Sequence, residues 1–600
     1  MLSTPPRWDL SNIYSGLDAS ELKADMQWIT DEGESINVYY QKELAPLTST
    51  AEPEVLAGHL DKLVERLNNI YLKAGTIGAY LHGCVATDSY DAEAMRMNSR
   101  FGIIMVQVQN VSTKLEAWLG KISKALPQAL AIDGSAKAHS FFLKEAAEQS
   151  QYLMSEAEEM LAGELSLSGA RAWSQLQGTV TSQKIAEIEL DGEVKTLPMP
   201  AIINLHGHPD EDVRRRAYEV EMQAWETVKE PLAASMNGIK GTVNTLNRHR
   251  GRKDALHSAL DMARIDRQTL DAMMGAMQDS FPMFRKYFRA KAKRFGQEQL
   301  PWWNLFAPTG KAGQTYTFAE ASNLILKNFA VFSPELKGFA QGAFENSWID
   351  AEQRSGKRGG AFCMSVPGVK GSRILCNFDG SLDQVMTMAH ELGHGFHNYC
   401  MFQADKTELQ RLTPMTMAET ASIMCETIVF NAIVSQVKDP QEELAILETA
   451  LISDSQVIVD IYSRFLFEKE VFERREKSDL SADELCEIME KAQKATYGDG
   501  LDERYLHKYM WTWKPHYYSA GLSFYNFPYA FGLLFGVGLY AIYKERGEAF
   551  IPEYKQLLAS TGEGTAADLA KRFGIDIRER KFWEQSLKVI EGRIDRYIEL

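Results

Sequence analysis

Only six of the 600 residues are cysteine (Cys84, Cys363, Cys376, Cys400, Cys425 and Cys486), and no two form a CxxC pair. Thiols this sparse exclude a disulfide framework as the basis of the fold and fit a reducing compartment, so a cytoplasmic protein is expected. Positive charge is in deficit too. Lys and Arg number 65 against 81 Asp and Glu, a net charge of −16, which argues against nucleic acid as a partner because phosphate binding needs basic surface. The opening residues, MLSTPPRWDLSNIYSG, lack a basic segment followed by an apolar run, so no secretory leader is expected. Repeats, low-complexity tracts and flexible linkers are not evident. One uncharged run, residues 519–543, reaches membrane-spanning length, but Asn526, Pro528 and four tyrosines interrupt it. It reads as a buried helix pair, and no membrane partner is expected.

What remains is an ordinary globular composition, 45% hydrophobic and 24% charged. Most of it reads as helix. Leu56, Leu60, Leu63, Leu67, Ile70 and Ala74 follow the spacing of one helical face, and similar patterns run through 20–45, 92–125, 135–165, 210–248 and 566–600. Strand signals are few. Residues 185–197 alternate across Asp191-Gly192, a hairpin signature, and residues 361–378 flank Pro367–Ser372 with two apolar runs. The first hairpin is taken as the boundary between an N-terminal helical region, 1–200, and a larger catalytic region, 201–600.

The chemistry concentrates in TMAHELGHGFHNYC, residues 387–400. Ser381, with Gln384 three residues on and Asp383 between, gives a capping-box start for a helix. Val385, Ala389, Leu392, Phe396 and Tyr399 make its apolar face. His390 lies about 140° round from Val385, and His394 about 40° from His390, so both imidazoles project together away from that face. Two histidines at i and i+4 can reach one zinc ion, and Glu391 between them can act on a water at that ion. A chance HExxH is expected only about 0.02 times in a chain of this composition. Packed core histidines are therefore the weaker reading.

The third ligand needs another element. A glycine and then a histidine at fixed offsets after His394 would mark one zinc class, but His397 and Cys400 stand there instead. A glutamate on a following helix is the other common solution. Glu419, 25 residues after His394, sits in an otherwise apolar helix opened by Thr413-Pro414, and a buried carboxylate needs a partner. Glu408 is a second candidate, placed in the preceding loop. Glu426 is expected to orient a ligand histidine, and His397 to support or pack against the site. Cys400 and Cys425 read as small core residues.

Together with WDLSNIY at 8–14, MAETASI at 417–423, HYYSAGLSFYNFPYAFG at 516–532 and GIDIRERKFW at 574–583, these motifs make the chain resemble the thimet-oligopeptidase-like zinc metallopeptidases. It is most similar to their oligoendopeptidase F branch. The resemblance implies a mainly α-helical fold: a two-lobed shell around a deep channel, with a small β-sheet beside the HExxH helix. It implies one Zn2+ per chain on His390, His394 and Glu419, Glu391 as the catalytic carboxylate, and oligopeptide substrates cleaved at internal bonds. It also implies that His516 and Tyr525, and at a less secure register Tyr529, lie near the scissile carbonyl. A carboxypeptidase or dipeptidase of similar fold, and a catalytically silent peptide-binding scaffold, are the rival readings. The 361–378 hairpin is expected to bind extended peptide along a strand edge. The glycine-rich run 355–360 lacks the order of a phosphate loop and is expected to be a mobile loop over the channel.

Overall fold

The computed structural model describes residues 4–310 and 314–600. Helices dominate, and among the described residues the strands fall in two small sheets. The chain divides into two compact units that interleave along the sequence. The first comprises Met1–Leu153, Gln314–Ile433 and Ile542–Gly574; the second comprises Met154–Gly313, Val434–Ala541 and Ile575–Leu600. Residue 200, the boundary expected from the sequence, falls inside the second unit.

In the first unit, Pro53 opens a 35-residue helix, Pro53–Thr87, at a position where its missing N–H costs no hydrogen bond. Its face of Leu56, Leu60, Leu63, Leu67, Ile70 and Ala74 is buried as the spacing predicts. The neighbouring helix Ala92–Lys121 is capped by Asp91, whose carboxylate accepts from the amides of Glu93 and Ala94. The same unit holds a three-stranded sheet of β3 (Ile349–Asp350), β4 (Phe362–Val366) and β5 (Gly371–Leu375), ordered β3-β5-β4. β4 and β5 are the expected antiparallel pair, in register from Phe362↔Leu375 to Val366↔Gly371. β3, parallel to β5, is too short to show a period. β4 is left at an edge.

Several local expectations change. The run 135–165 is divided into Ser135–Ala138, Ser140–Gln149 and Glu156–Ser168. The uncharged run 519–543 is not a helix pair: a turn precedes a single helix, Phe527–Arg546. Among the described residues one stretch is long and apolar enough to cross a membrane, Met415–Val434, and most of it is buried. The glycine-rich run 355–360 is tied down at Gly356, Lys357 and Arg358, while Ser355, Gly359 and Gly360 are exposed. The Lys357 side chain is fully buried, ion-paired with Asp350 and donating to the carbonyls of Asp350, Glu352 and Cys376. Arg358 N–H and the Gly356 carbonyl bond to Ala86 and Ser89.

In the second unit, Asp191 (φ 55°) and Gly192 (φ 79°) form the two-residue turn that Asp-Gly predicts between β1 (Ile185–Leu190) and β2 (Glu193–Pro198). The run 210–248 breaks into Glu211–Glu226 and Lys229–His249. All six cysteines are free thiols.

Candidate metal centre

The motif helix runs Leu382–Gln403. The Ser381 hydroxyl accepts from the Gln384 amide, but the return bond of a capping box is missing because the Ser381 amide donates to Asp379 instead. Val385, Ala389, Leu392 and Phe396 are buried, which turns His390 and His394 out of the core on the same side. Their ring centres are 4.9 Å apart.

Glu419 comes from a bend. Its φ and ψ of −84° and 2° break the stretch into a short turn, Met415–Ala418, and a helix, Thr420–Val434. Its Oε2 lies 3.2 Å from His390 Nε2 and 3.4 Å from His394 Nε2. Ser422 Oγ donates to the same carboxylate at 2.6 Å. Three donors on a tetrahedral ion at about 2.0–2.1 Å would stand about 3.3 Å apart, so this nitrogen, nitrogen and oxygen set fits a zinc-sized divalent metal. Among the described residues it is the one His, Cys, Asp or Glu group close enough to do so. Glu408 is paired with Arg411 and takes no part.

The electrostatics call for a cation. Burial opposes charge on His390, but Glu419 and Glu426 push its imidazole up to about 10. Burial likewise raises Glu419, and the two imidazoles outweigh it and hold the carboxyl well below its usual range. Glu426 Oε2 sits 3.1 Å from His390 Nδ1, which places that proton on Nδ1 and leaves Nε2 free as a ligand. Glu391 is buried and raised by desolvation, and its Oε2 has no hydrogen-bond partner. His390, Glu391, His394 and Glu419 line a cavity of about 650 Å³ with Phe362, Cys363 and Ser365 of β4.

The two glycines that interrupt the motif have separate causes. A Cβ on Gly393 would lie 2.6 Å from Ala421 O and Ser422 Cα, so this glycine lets the Glu419 segment touch the motif helix backbone to backbone. On Gly395 it would meet the Phe339 ring at 2.7 Å. His397 is buried, and its Nε2 is taken up by the Leu558 carbonyl and Thr561 hydroxyl at 3.1 and 2.9 Å. It anchors the helix. Cys400 and Cys425 are buried core thiols raised by desolvation.

His516, Tyr525 and Tyr529 gather in the second unit. His516 lies on a tight turn, Pro515–Tyr518, its ring 5.8 Å from that of Tyr525, whose hydroxyl is 2.6 Å from that of Tyr529. Asn526 is the residue that sequence reasoning missed. Its amide nitrogen stands 2.7 Å from His516 Nε2 and can only donate, so the ring proton sits on Nδ1. No helical or strand period marks a side chain in such a turn.

Residues 204–589 match the sequence pattern of Peptidase family M3, well over half the chain. The chain belongs to that family. Oligopeptidase PepF of Bacillus subtilis (strain 168) is 24% identical over 605 residues, spanning 97% of this chain and 88% of that protein. Among solved structures, a protein from Chlamydophila abortus superposes with a TM-score of 0.83 at 18% identity, covering 99% of this chain and 98% of that one. An oligoendopeptidase-F from Enterococcus faecium gives 0.68 at 18% identity, covering 96% and 97%. Membership of family M3 makes this a metallopeptidase, and the His390, His394 and Glu419 group fits its metal.

Proposed function

We propose that the chain is a zinc-dependent endopeptidase of the cytoplasm that hydrolyses internal bonds of short unstructured oligopeptides. The observation that carries this is the buried, orphaned Glu391 oxygen beside three converging metal donors. His390, His394 and Glu419 would hold the ion, with Glu426 fixing the tautomer of His390. Zinc held by these residues would supply a water whose pKa falls towards about 7 and a Lewis acid for the peptide carbonyl. Glu391 takes the proton from the attacking water and returns it to the leaving nitrogen. By the family resemblance, His516, through Nδ1–H, and Tyr525, through its hydroxyl, are the proposed donors to the carbonyl oxygen as it becomes negative, with Tyr529 hydrogen-bonded to Tyr525 beside them.

A carboxypeptidase would need a free cation for the terminal carboxylate. Arg411 is the one lysine or arginine among the described lining of the cavity. It is spent on Glu408 and lies over the Phe402 ring at 4.2 Å, which favours internal cleavage. A silent scaffold would have no use for an unpartnered carboxylate, whose burial costs stability. Six free thiols support a reducing compartment.

The test measures bound zinc and cleavage of internally quenched peptides of graded length for the parent and Glu391→Gln. Zinc retained with kcat down about 10²–10⁴-fold is the expected outcome. Equal turnover by both proteins would remove Glu391 from the mechanism, and release of C-terminal residues alone would favour the carboxypeptidase.

A further inference from the structure

Phe524 immediately precedes Tyr525 and has a φ of 53°, in the left-handed region that a bulky side chain rarely adopts. The helix Ile461–Arg475 holds it there. Phe465, Glu468 and Phe472 recur at 3 and 4 residues and so share one face of that helix. The Phe524 ring packs against Phe465 and Phe472, with centroids 5.1 and 5.7 Å away. Between them the Phe524 amide donates to Glu468 Oε2 at 3.1 Å. Glu468 is itself buried, and its other oxygen accepts from Lys240 Nζ at 2.6 Å. Lys240, fully buried on the helix Lys229–His249, lies 4.4 Å from the Phe472 ring centre. One carboxylate therefore closes a clamp on a single backbone amide, with its charge balanced from a second helix.

A left-handed residue reverses the chain, and here the reversal turns Tyr525 and Asn526 out of the preceding segment and into the helix beginning at Phe527. Tyr525 faces His516, and Asn526 fixes the tautomer of His516. Releasing Phe524 would let both neighbours relax together.

We propose that Glu468 is a positioning residue that, by capturing the Phe524 amide, sets the geometry of Tyr525, Asn526 and His516 for turnover; this rests on the reading of His516 and Tyr525 as donors to the substrate. A buried ion pair is weak grounds for stability alone, because an apolar pair of similar volume often serves as well. The unusual backbone at Phe524 gives this pair a second task.

Two double variants separate the tasks. Lys240→Met with Glu468→Gln keeps an acceptor for the Phe524 amide; Lys240→Met with Glu468→Leu removes it, and neither leaves a buried charge unpaired. In the leucine pair kcat should fall about 10²-fold below the glutamine pair, the scale of a roughly 1 Å misplacement, with KM within about twofold. Metal content should be equal in both. Hydrogen exchange at the Phe524 amide should be fast in the leucine pair and protected in the glutamine pair. Protection that survives in the leucine pair overturns the clamp. Equal kcat in the two pairs, with Tyr525→Phe and His516→Ala impaired, overturns positioning alone. Parental kcat in both of those single variants removes the donor reading, and the positioning role falls with it.

Discussion

His390 has a carboxylate at each ring nitrogen, Glu426 3.1 Å from Nδ1 and Glu419 3.2 Å from Nε2. Only Glu419 stands near His394 as well, so the two glutamates divide into ligand and orienting partner. Glu426→Ala should weaken metal affinity about 10–100-fold, the usual loss for such a partner, while Glu426→Gln, which can still accept from Nδ1–H, should lose less. Competition with a chromogenic chelator reads both. Much of this was legible in the sequence. His390, Glu391 and His394 occupy one helix, where spacing fixes direction, and Glu419 and Glu426 are charges in an apolar run. Asn526 and Phe524 were not legible, because their roles come from an irregular turn. His516 illustrates the consequence for pH. Burial, then the cations Arg464, Lys240 and Lys514, push its imidazole down to about 3 from 6.5. Below about pH 6.5 the unfolded chain therefore binds a proton that the folded chain refuses. The stability linked to neutral His516 is complete above that pH and is lost as pH falls towards about 3. Denaturant melts between pH 7 and 4.5 should show a steeper decline for the parent than for His516→Asn. Acid inhibition of kcat/KM in that window should persist in the variant, since His516 is not the group that titrates.

Between elements, the contact that matters most is made by an absent side chain. Gly393 costs the motif helix about 1 kcal/mol relative to alanine, yet alanine there would press on the Ala421 carbonyl and Ser422 Cα, neither of which can swing aside. Gly395 faces a side-chain ring, Phe339, and not the backbone that positions Glu419. Gly393→Ala should therefore destabilise by about 1–3 kcal/mol through overpacking and, by displacing the Glu419 segment, lose metal as well. Gly395→Ala should keep its metal. Thermal melts with metal analysis distinguish them, and normal metal content in Gly393→Ala would break the link between helix approach and ligand geometry. That glycines are present was plain from the sequence; what each one admits was not, because the neighbour is 28 residues away in one case and 56 in the other. Long periodic helices such as Pro53–Thr87 were legible for the opposite reason, since each encodes its own buried face. The break between Glu226 and Lys229 does carry a mark, since Pro231 cannot donate to the carbonyl of residue 227 and so stands in the first turn of a new helix.

At the scale of the whole molecule, chain order misleads. Each compact unit is assembled from three separate segments, so a boundary read from local composition has no way to register which distant segments share a core. Energetics follow the units, not the order. His390, His394 and Glu419 all lie in the first unit, within Gln314–Ile433. Any opening that separates the motif helix from Thr420–Val434 must release the metal, whereas fraying elsewhere need not. Metal at 100 times its Kd stabilises the bound state by about 2.7 kcal/mol against such an opening, which corresponds to about 10²-fold slower exchange of the amides it exposes. Hydrogen exchange with and without zinc should therefore show slowing in Leu382–Gln403 and Thr420–Val434, with little change in the second unit's Arg267–Arg294. The Glu391→Gln protein should give the same pattern, since its ligands are intact. If zinc slowed exchange equally throughout the chain, release would require global unfolding; if it slowed none of the two ligand helices, His390, His394 and Glu419 would not be where the metal binds.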